Sequence, residues 1–250
     1  FMERNKEEPF LVYYPMALTH RPYVPTPDSE DYEEFEIAST GSSKGTKTDT
    51  TYFKDQVAYM DKIVGEIIDK THDLGISKNT LILYTTDNGT GNEVISRMGD
   101  QKIEGMKGLT TDFGRHVPLI AYWDGKINPG QINDDLIDFS DFLPTMVEAA
   151  GGAIHDSLHI DGYSFFPQMI GGETNPRDWL FCHFEPMKTG FENRRFVHDK
   201  RLKLYENGEI YNIANDPFEN TNIEENNLSS SDQELIENFR QVLSKLSPTE

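Results

Sequence analysis

The stretch Thr80–Gly89, TLILYTTDNG, joins a continuous apolar run, Leu81-Ile82-Leu83-Tyr84, to an Asp-Asn-Gly triplet. Such a short apolar run suits a buried strand of an α/β sheet, and the polar residues begin where the strand would stop. The ends of strands in such sheets are where ligands are held. The triplet reads in two ways. It is a plain turn built from the usual turn formers. It is also a pair of hard oxygen donors, the Asp87 carboxylate and the Asn88 amide, suited to Ca²⁺ or Mg²⁺, with Gly89 allowing the backbone to turn sharply.

Working outward, the run Val57, Met60, Val64, Ile67, Ile68 and Thr71 recurs at steps of three and four, which predicts an amphipathic helix from about 50 to 72 that Gly75 stops. Before it, Pro9–Ala17 reads as a strand, and the Pro-rich THRPYVPTP places His20 in an irregular extended loop. Residues 28–51, acidic and then rich in Ser, Thr, Gly and Lys, read as a surface loop or insertion. Downstream, Val117–Tyr122 is the next expected strand. The long polar connection Thr90–His116 leading to it carries Lys107, Asp112, Arg115 and His116, and long loops of this kind are commonly functional.

Strands alternating with helices predict an α/β fold with a mainly parallel sheet flanked by helices. A helix is expected over Asp141–Ala150, capped by Ser140 and ended by Gly151-Gly152. From Asp161 onward, WLFCHF, RRFVH and LKLYE predict a small antiparallel sheet, with Tyr205 and Tyr211 in its core, and Ser231–Leu246 a closing helix. A boundary between Gly152 and Asp161 then separates a main α/β part, residues 1–155, from a small α+β part, residues 156–250.

The 250 residues carry 43 acidic against 23 basic side chains, a net charge of −20. Broad attraction to nucleic acid or to an anionic membrane surface is excluded, so an anionic ligand must be met locally. The lone cysteine, Cys182, forms neither an internal disulfide nor a cysteine metal pair. No apolar run reaches the roughly 18 to 20 residues of a membrane span, and FMERNKEEPF is too charged for a signal-peptide core. A core strand so close to the first residue reads as a chain entered midway.

Four features stand in order: His20 in a proline loop, Asp87-Asn88-Gly89 at a strand end, Lys107 in the next loop, and DFGRHVPLIAYWDG after it. DFSDFLPTMVEAAGG, IDGYSFFPQMIGG and LKLYENGEIYNIANDPFENTNI follow. Together these resemble the sulfatase family of the alkaline phosphatase superfamily. The resemblance implies an alkaline-phosphatase-like fold, with Asp87 and Asn88 as two ligands of a divalent cation, normally Ca²⁺ with Mg²⁺ as the alternative. It implies Lys107 as the sulfate-contacting lysine and His20 as the histidine that hydrogen-bonds the sulfate and protonates the leaving oxygen. His116 stands where the family usually has the arginine of Glu-Gly-Gly-x-Arg-Val-Pro, and is carried over as a substrate contact. Arg115 is shifted by one, which puts the family's ion pair there in question. His183 is either a contact at the pocket rim or a histidine packed beside aromatics.

Sulfatases convert a Cys or Ser in Cys/Ser-x-Pro-x-Arg to formylglycine, the nucleophile. These 250 residues contain no such motif, Cys182 lies outside any such pattern, and the family's first Asp pair is also missing. The resemblance therefore implies only the C-terminal half of a sulfatase. The parent protein is expected to hydrolyse a small-molecule or carbohydrate sulfate ester with a nucleophile upstream, and the isolated chain to be inactive. The alternatives are a phosphoester or phosphonate hydrolase of the same superfamily and a non-catalytic binding protein. The acidity slightly favours a small or sparsely sulfated substrate. Family habit implies a periplasmic or secreted protein.

Overall fold

A computed structural model describes residues 1–34, 49–187 and 190–246. The chain forms two compact units interleaved along the sequence rather than divided by one cut near Gly152. The first comprises Phe1–Tyr84, Thr90–Gly105 and Leu119–Lys126, the second Thr85–Gly89, Met106–Pro118 and Ile127–Glu250.

In the first unit a short helix α1 (Met2–Asn5) is followed at a distance by α2 (Phe53–Asp73). Helix α2 half-buries Met60, Val64, Ile67 and Ile68, while Val57, expected on the same side, is exposed. The Gln56 side chain is buried and donates to the carbonyls of Pro22 (3.3 Å) and Val24 (3.2 Å), which ties the proline loop to the helix. As expected, Gly75 ends α2: it adopts φ +70°, and the Gly75 and Ile76 amides donate to His72 O and Thr71 O, a Schellman closure. Of the expected 28–51 loop, residues 35–48 lie outside the described residues. Its first part is turns, held to α2 by the Ser29 hydroxyl on Asp55 (2.8 Å) and by Lys62 on Asp28 (2.8 Å).

Strand β1 (Ile82–Thr85), which runs into the first residue of the second unit, pairs with β4 (Leu119–Tyr122). Between them the Thr90–His116 connection contains an unforeseen antiparallel hairpin, β2 (Ile95–Met98) with β3 (Gln101–Glu104). Its residues are mostly exposed and polar, so no hydrophobic alternation announced it. Two expectations differ from the structure. Pro9–Ala17 is not a strand: Leu11, Val12, Tyr13 and Tyr14 are exposed, and an extended segment becomes a strand only on a partner's hydrogen-bond ladder. A mainly parallel sheet is likewise not seen among the described residues, where β1 with β4 is the one pairing outside antiparallel hairpins and meanders. No helix among the described residues is long and apolar enough to cross a membrane.

The second unit begins with the turn after β1, then the one-turn helix α3 (Asp112–Arg115). Helix α4 (Phe142–Ala149) is preceded by a 3-10 turn whose cap is Asp138, not Ser140: the Ser140 amide and hydroxyl both donate to the Asp138 carboxylate. Asp141 is buried and holds three elements together by accepting from Asp138 N, from Tyr163 N and from the Arg177 guanidinium. After α5 (Phe166–Ile170) comes the four-stranded antiparallel meander expected from the sequence, β5 (Leu180–Phe184), β6 (Arg194–His198), β7 (Leu202–Tyr205) and β8 (Ile210–Asn212), in that order. It is closed by α6 (Ser230–Lys245), whose cap Ser229 accepts from Asp232 N.

Side chains alternate across a strand, so this sheet has two different faces. Val197, Leu202, Leu204 and Ile210 pack with Ile236 and Phe239 of α6 into the principal apolar cluster. On the other face Phe196, His198, Lys203 and Tyr205 are buried as well, beneath the Met106–Pro118 segment. Tyr211 is half-buried, in edge contact with Tyr205. His198 is neutral there: its Nδ1–H donates to Asp199 O (2.7 Å) and its Nε2 accepts from Arg115 Nη1 (2.9 Å). Burial, with the Arg115 charge, pushes its pKa down to about 3.

Two outcomes follow from this core. Phe239→Ala empties a fully buried site and is expected to cost about 3–5 kcal/mol, read from the urea midpoint. His198 in the unfolded chain takes up a proton near its ordinary 6.5, whereas in the folded protein it does so only near 3. Its contribution is therefore complete above pH 6.5 and is lost as the pH falls toward 3, by about 1.4 kcal/mol per pH unit. Urea titrations at pH 7 and pH 5 are expected to give a flatter pH dependence for His198→Gln than for the parent chain.

Candidate active site

Strand β1 delivers the chain to Asp87, which is exposed, and Asn88, which is half-buried. The Gly89 amide donates to Gly114 O at 2.9 Å, and a Cβ on Gly89 would lie 1.9 Å from Phe113 O. Gly89 thus serves close backbone approach, and its φ is not positive. Gly114 repeats the device, since a Cβ there would lie 2.2 Å from Leu109 O and 2.6 Å from Met106 O. Two glycines weld the Asp-Asn turn to the segment carrying Lys107 and His116.

Lys107 is exposed, and among the described residues no ion-pair partner neutralises it. The residues after it are firmly held. Gly108, at φ +89°, lies flat against the Phe191 ring, where a Cβ would be 2.6 Å from Cε1. Leu109 N donates to Met106 O (2.9 Å), and the Thr110 hydroxyl meets the Tyr205 hydroxyl at 2.8 Å.

Helix α3 supplies a second charged group. The Asp112 carboxylate divides its oxygens, Oδ1 accepting from Arg115 Nη2 (2.8 Å) and Oδ2 from His116 Nδ1 (3.2 Å). Burial acts to raise the Asp112 carboxyl, but the His116 hydrogen bond and the Arg115 charge outweigh it and hold it below its ordinary value. The same hydrogen bond raises His116 against the opposing effect of burial, which favours its cationic form. His116 itself is exposed and borders a cavity of about 220 Å³ lined also by Asp112, Phe113, Val117 and Pro118. Arg115 makes an ion pair with Asp112 and lies over the Phe196 ring.

The second unit therefore carries Asp87, Asn88, Lys107 and His116, whereas His20 belongs to the first. His20 is exposed and its Nδ1–H donates to Arg21 O (2.7 Å), leaving Nε2 outward for a ligand. His183 is not packed among aromatics: it is exposed, 3.4 Å from Glu185. Sequence reasoning missed His198 and Lys203. No local signal marked Lys203, because in LKLY it alternates with the apolar Leu202 and Leu204 and so reads as an outer-face residue. For a cation, Asp87 and Asn88 offer the right donor atoms but too few of them. Ca²⁺ takes about six to eight oxygens, and no cluster of three or more His, Cys, Asp or Glu able to hold a metal occurs among the described residues. The pair fits part of a shell.

The family model described as Sulfatase matches residues 1–153, and that described as N-sulphoglucosamine sulphohydrolase, C-terminal, matches residues 107–248. Human arylsulfatase A is 29% identical over 181 residues, covering 72% of this chain and 32% of that protein. The ulvan-active sulfatase of Formosa agariphila is 25% identical over 264 residues, covering 89% and 49% respectively. Among solved structures, one described as being in complex with its substrate D-glucosamine-2-N,6-O-disulfate superposes with a TM-score of 0.64 at 20% identity, over 86% of this chain and 45% of that one, a likeness of fold. The chain thus spans about a third to a half of the length of these curated relatives. The expectation that the likeness would be confined to the family's C-terminal half is not borne out, because the Sulfatase model itself matches from residue 1. Since that match takes in more than half of the 250 residues, on which the Asp-Asn turn and Lys107 both lie, the chain belongs to the sulfatase family.

Proposed function

We propose that the protein containing this chain hydrolyses sulfate esters, with a sulfated carbohydrate as the favoured substrate class. The observation that carries this reading is the glycine weld, Gly89 N to Gly114 O at 2.9 Å, which joins two cation-ligating side chains to a segment bearing an unneutralised lysine and a histidine biased toward its cation. Sulfate is a tetrahedral anion, and on a chain of net charge −20 it can be bound only where positive charge is gathered locally. The carbohydrate preference draws on the relatives: one is described as ulvan-active, and one solved structure as holding a disulfated glucosamine.

Asp87 and Asn88 would hold Ca²⁺, with Mg²⁺ as the alternative. When bound, the cation polarises a sulfate oxygen and offsets its charge. Lys107 supplies a point charge where negative charge grows on the sulfate in the transition state. His116, biased toward its cation by the Asp112 hydrogen bond, would contribute a second. His20, with Nδ1–H committed to Arg21 O, would hold its transferable proton on Nε2 and pass it to the departing ester oxygen. The 250 residues contain no Cys/Ser-x-Pro-x-Arg, so the formylglycine nucleophile of such an enzyme comes from sequence outside them. Part of the same proposal is the mainly parallel sheet flanked by helices of the alkaline-phosphatase-like fold, to which β1 and β4 would contribute.

Three measurements test this reading. In the complete protein Lys107→Ala is expected to lower kcat for a sulfate ester by about 10²–10³-fold, the loss typical of removing one preorganised charge-stabilising group. Retention of full kcat removes Lys107 from the site. Asp87→Ala is expected to raise the Ca²⁺ concentration needed for half-maximal activity, and an unchanged requirement excludes Asp87 as a ligand. The isolated 250 residues supplied with Ca²⁺ and 4-nitrophenyl sulfate are expected to show no turnover, and faster turnover of 4-nitrophenyl phosphate than of the sulfate by the complete protein would replace sulfate by phosphate in the proposal.

A further inference from the structure

The Lys203 side chain has no solvent exposure at all, and its ammonium is the centre of a cluster that the reaction scheme above does not use. Nζ donates to Thr110 O (2.5 Å) and to Glu219 Oε1 (2.7 Å), and it lies 3.9 Å from the centre of the Phe196 ring and 4.5 Å from that of Tyr205. The second Glu219 oxygen accepts from the Tyr205 hydroxyl at 2.6 Å, and that hydroxyl also meets the Thr110 hydroxyl at 2.8 Å. Both polar handles of Thr110, carbonyl and hydroxyl, are therefore gripped from β7, three residues beyond Lys107. Gly108 is pressed on Phe191, and the Phe113 ring packs tilted against Phe218, next to Glu219, with centroids 4.9 Å apart.

An isolated lysine is almost never buried so completely, because removing an ammonium from water is costly unless partners replace its hydration. A sheet built only for stability would be served as well by an apolar residue here, since replacing buried ion pairs by well-packed apolar groups is often neutral or stabilising. What an apolar residue could not do is fix the direction of one particular main-chain carbonyl. We infer that Lys203 is a positioning residue, which through Thr110 and with Glu219 and Tyr205 holds the 107–110 loop so that the Lys107 ammonium stands at a fixed place in the site. Lys203 touches no substrate in this role; it acts through Lys107. The role rests on the sulfate-ester reading, in which Lys107 meets the sulfate.

The test is a double-mutant cycle in the complete protein, assayed with 4-nitrophenyl sulfate. Lys203→Met is expected to lower kcat at least tenfold in the parent protein and by less than twofold on a Lys107→Ala background, because without Lys107 nothing remains to be positioned. An equal factor in both backgrounds makes Lys203 a merely structural residue and overturns the inference, as does an unchanged kcat in the parent. Should Lys203→Met fail to fold, Tyr205→Phe removes one hydroxyl of the clamp while keeping the ammonium, and the same non-additivity with Lys107→Ala is expected at a few-fold; additivity overturns the inference. Should the parent protein turn over no sulfate ester, the sulfate-ester reading fails, and amide hydrogen exchange then decides the clamp by itself. Faster exchange at residues 106–111 in Lys203→Met or Tyr205→Phe supports the clamp, and unchanged protection refutes it.

Discussion

A fully buried ammonium dictates much of the second unit. Burial draws the pKa of Lys203 down to about 8 against the opposing pull of Glu219, so near neutrality the charge persists inside the protein and every neighbour must accommodate it. Two aromatic faces, one carboxylate and one main-chain carbonyl do so. Breaking such an arrangement by removing one partner costs about 3–5 kcal/mol, because the remaining charge is stranded. The constraint propagates. Glu219 must face inward, so the loop after β8 is fixed, and the Thr110 carbonyl must face the sheet, so the 106–118 segment has one available path.

That path brings positive charge together on a strongly acidic chain. Asp112 is central, since its two oxygens serve Arg115 and His116 at once, and Arg115 in turn reaches the neutral His198 on β6. The ordering of ionisation is physically consistent. Depth keeps His198 uncharged beside a guanidinium, while a carboxylate favours the charged form of the outer His116. Two histidines in the same neighbourhood thus have opposite protonation preferences, each set by its own surroundings.

How much of this was legible in the sequence divides along the reach of the forces involved. Elements fixed by local periodicity or capping were readable: α2 with its Gly75 closure, the β5–β8 meander and α6 lie close to where residue spacing put them. Features fixed by contacts distant in sequence were not. The β2–β3 hairpin lacks hydrophobic alternation. Pro9–Ala17 has strand composition but no ladder to join, and Ser140, expected as the cap of α4, lies instead inside a 3-10 turn capped by Asp138. Among the candidate residues, Asp87, Asn88, Lys107, His20 and His116 stood out by motif and order. The buried His198 and Lys203 did not, because a lysine in LKLY looks like any lysine on the outer side of a strand until the segment that covers it is known.

The exposed run Leu11–Tyr14 carries a consequence for handling the chain by itself. Four consecutive apolar and aromatic residues, free of charge and preceded by Phe10 within the Pro9–Pro15 interval, have the composition of a segment that pairs edge to edge with copies of itself. Opposing this is the charge of −20, which keeps molecules apart at low ionic strength and is screened within about 8–10 Å in physiological salt. The colloidal behaviour of the 250 residues is thereby set by buffer composition: dilute salt near neutrality favours dispersed chains, whereas high salt, or acid that titrates the carboxylates toward the isoelectric point of about 4.6, hands control to the sticky segment.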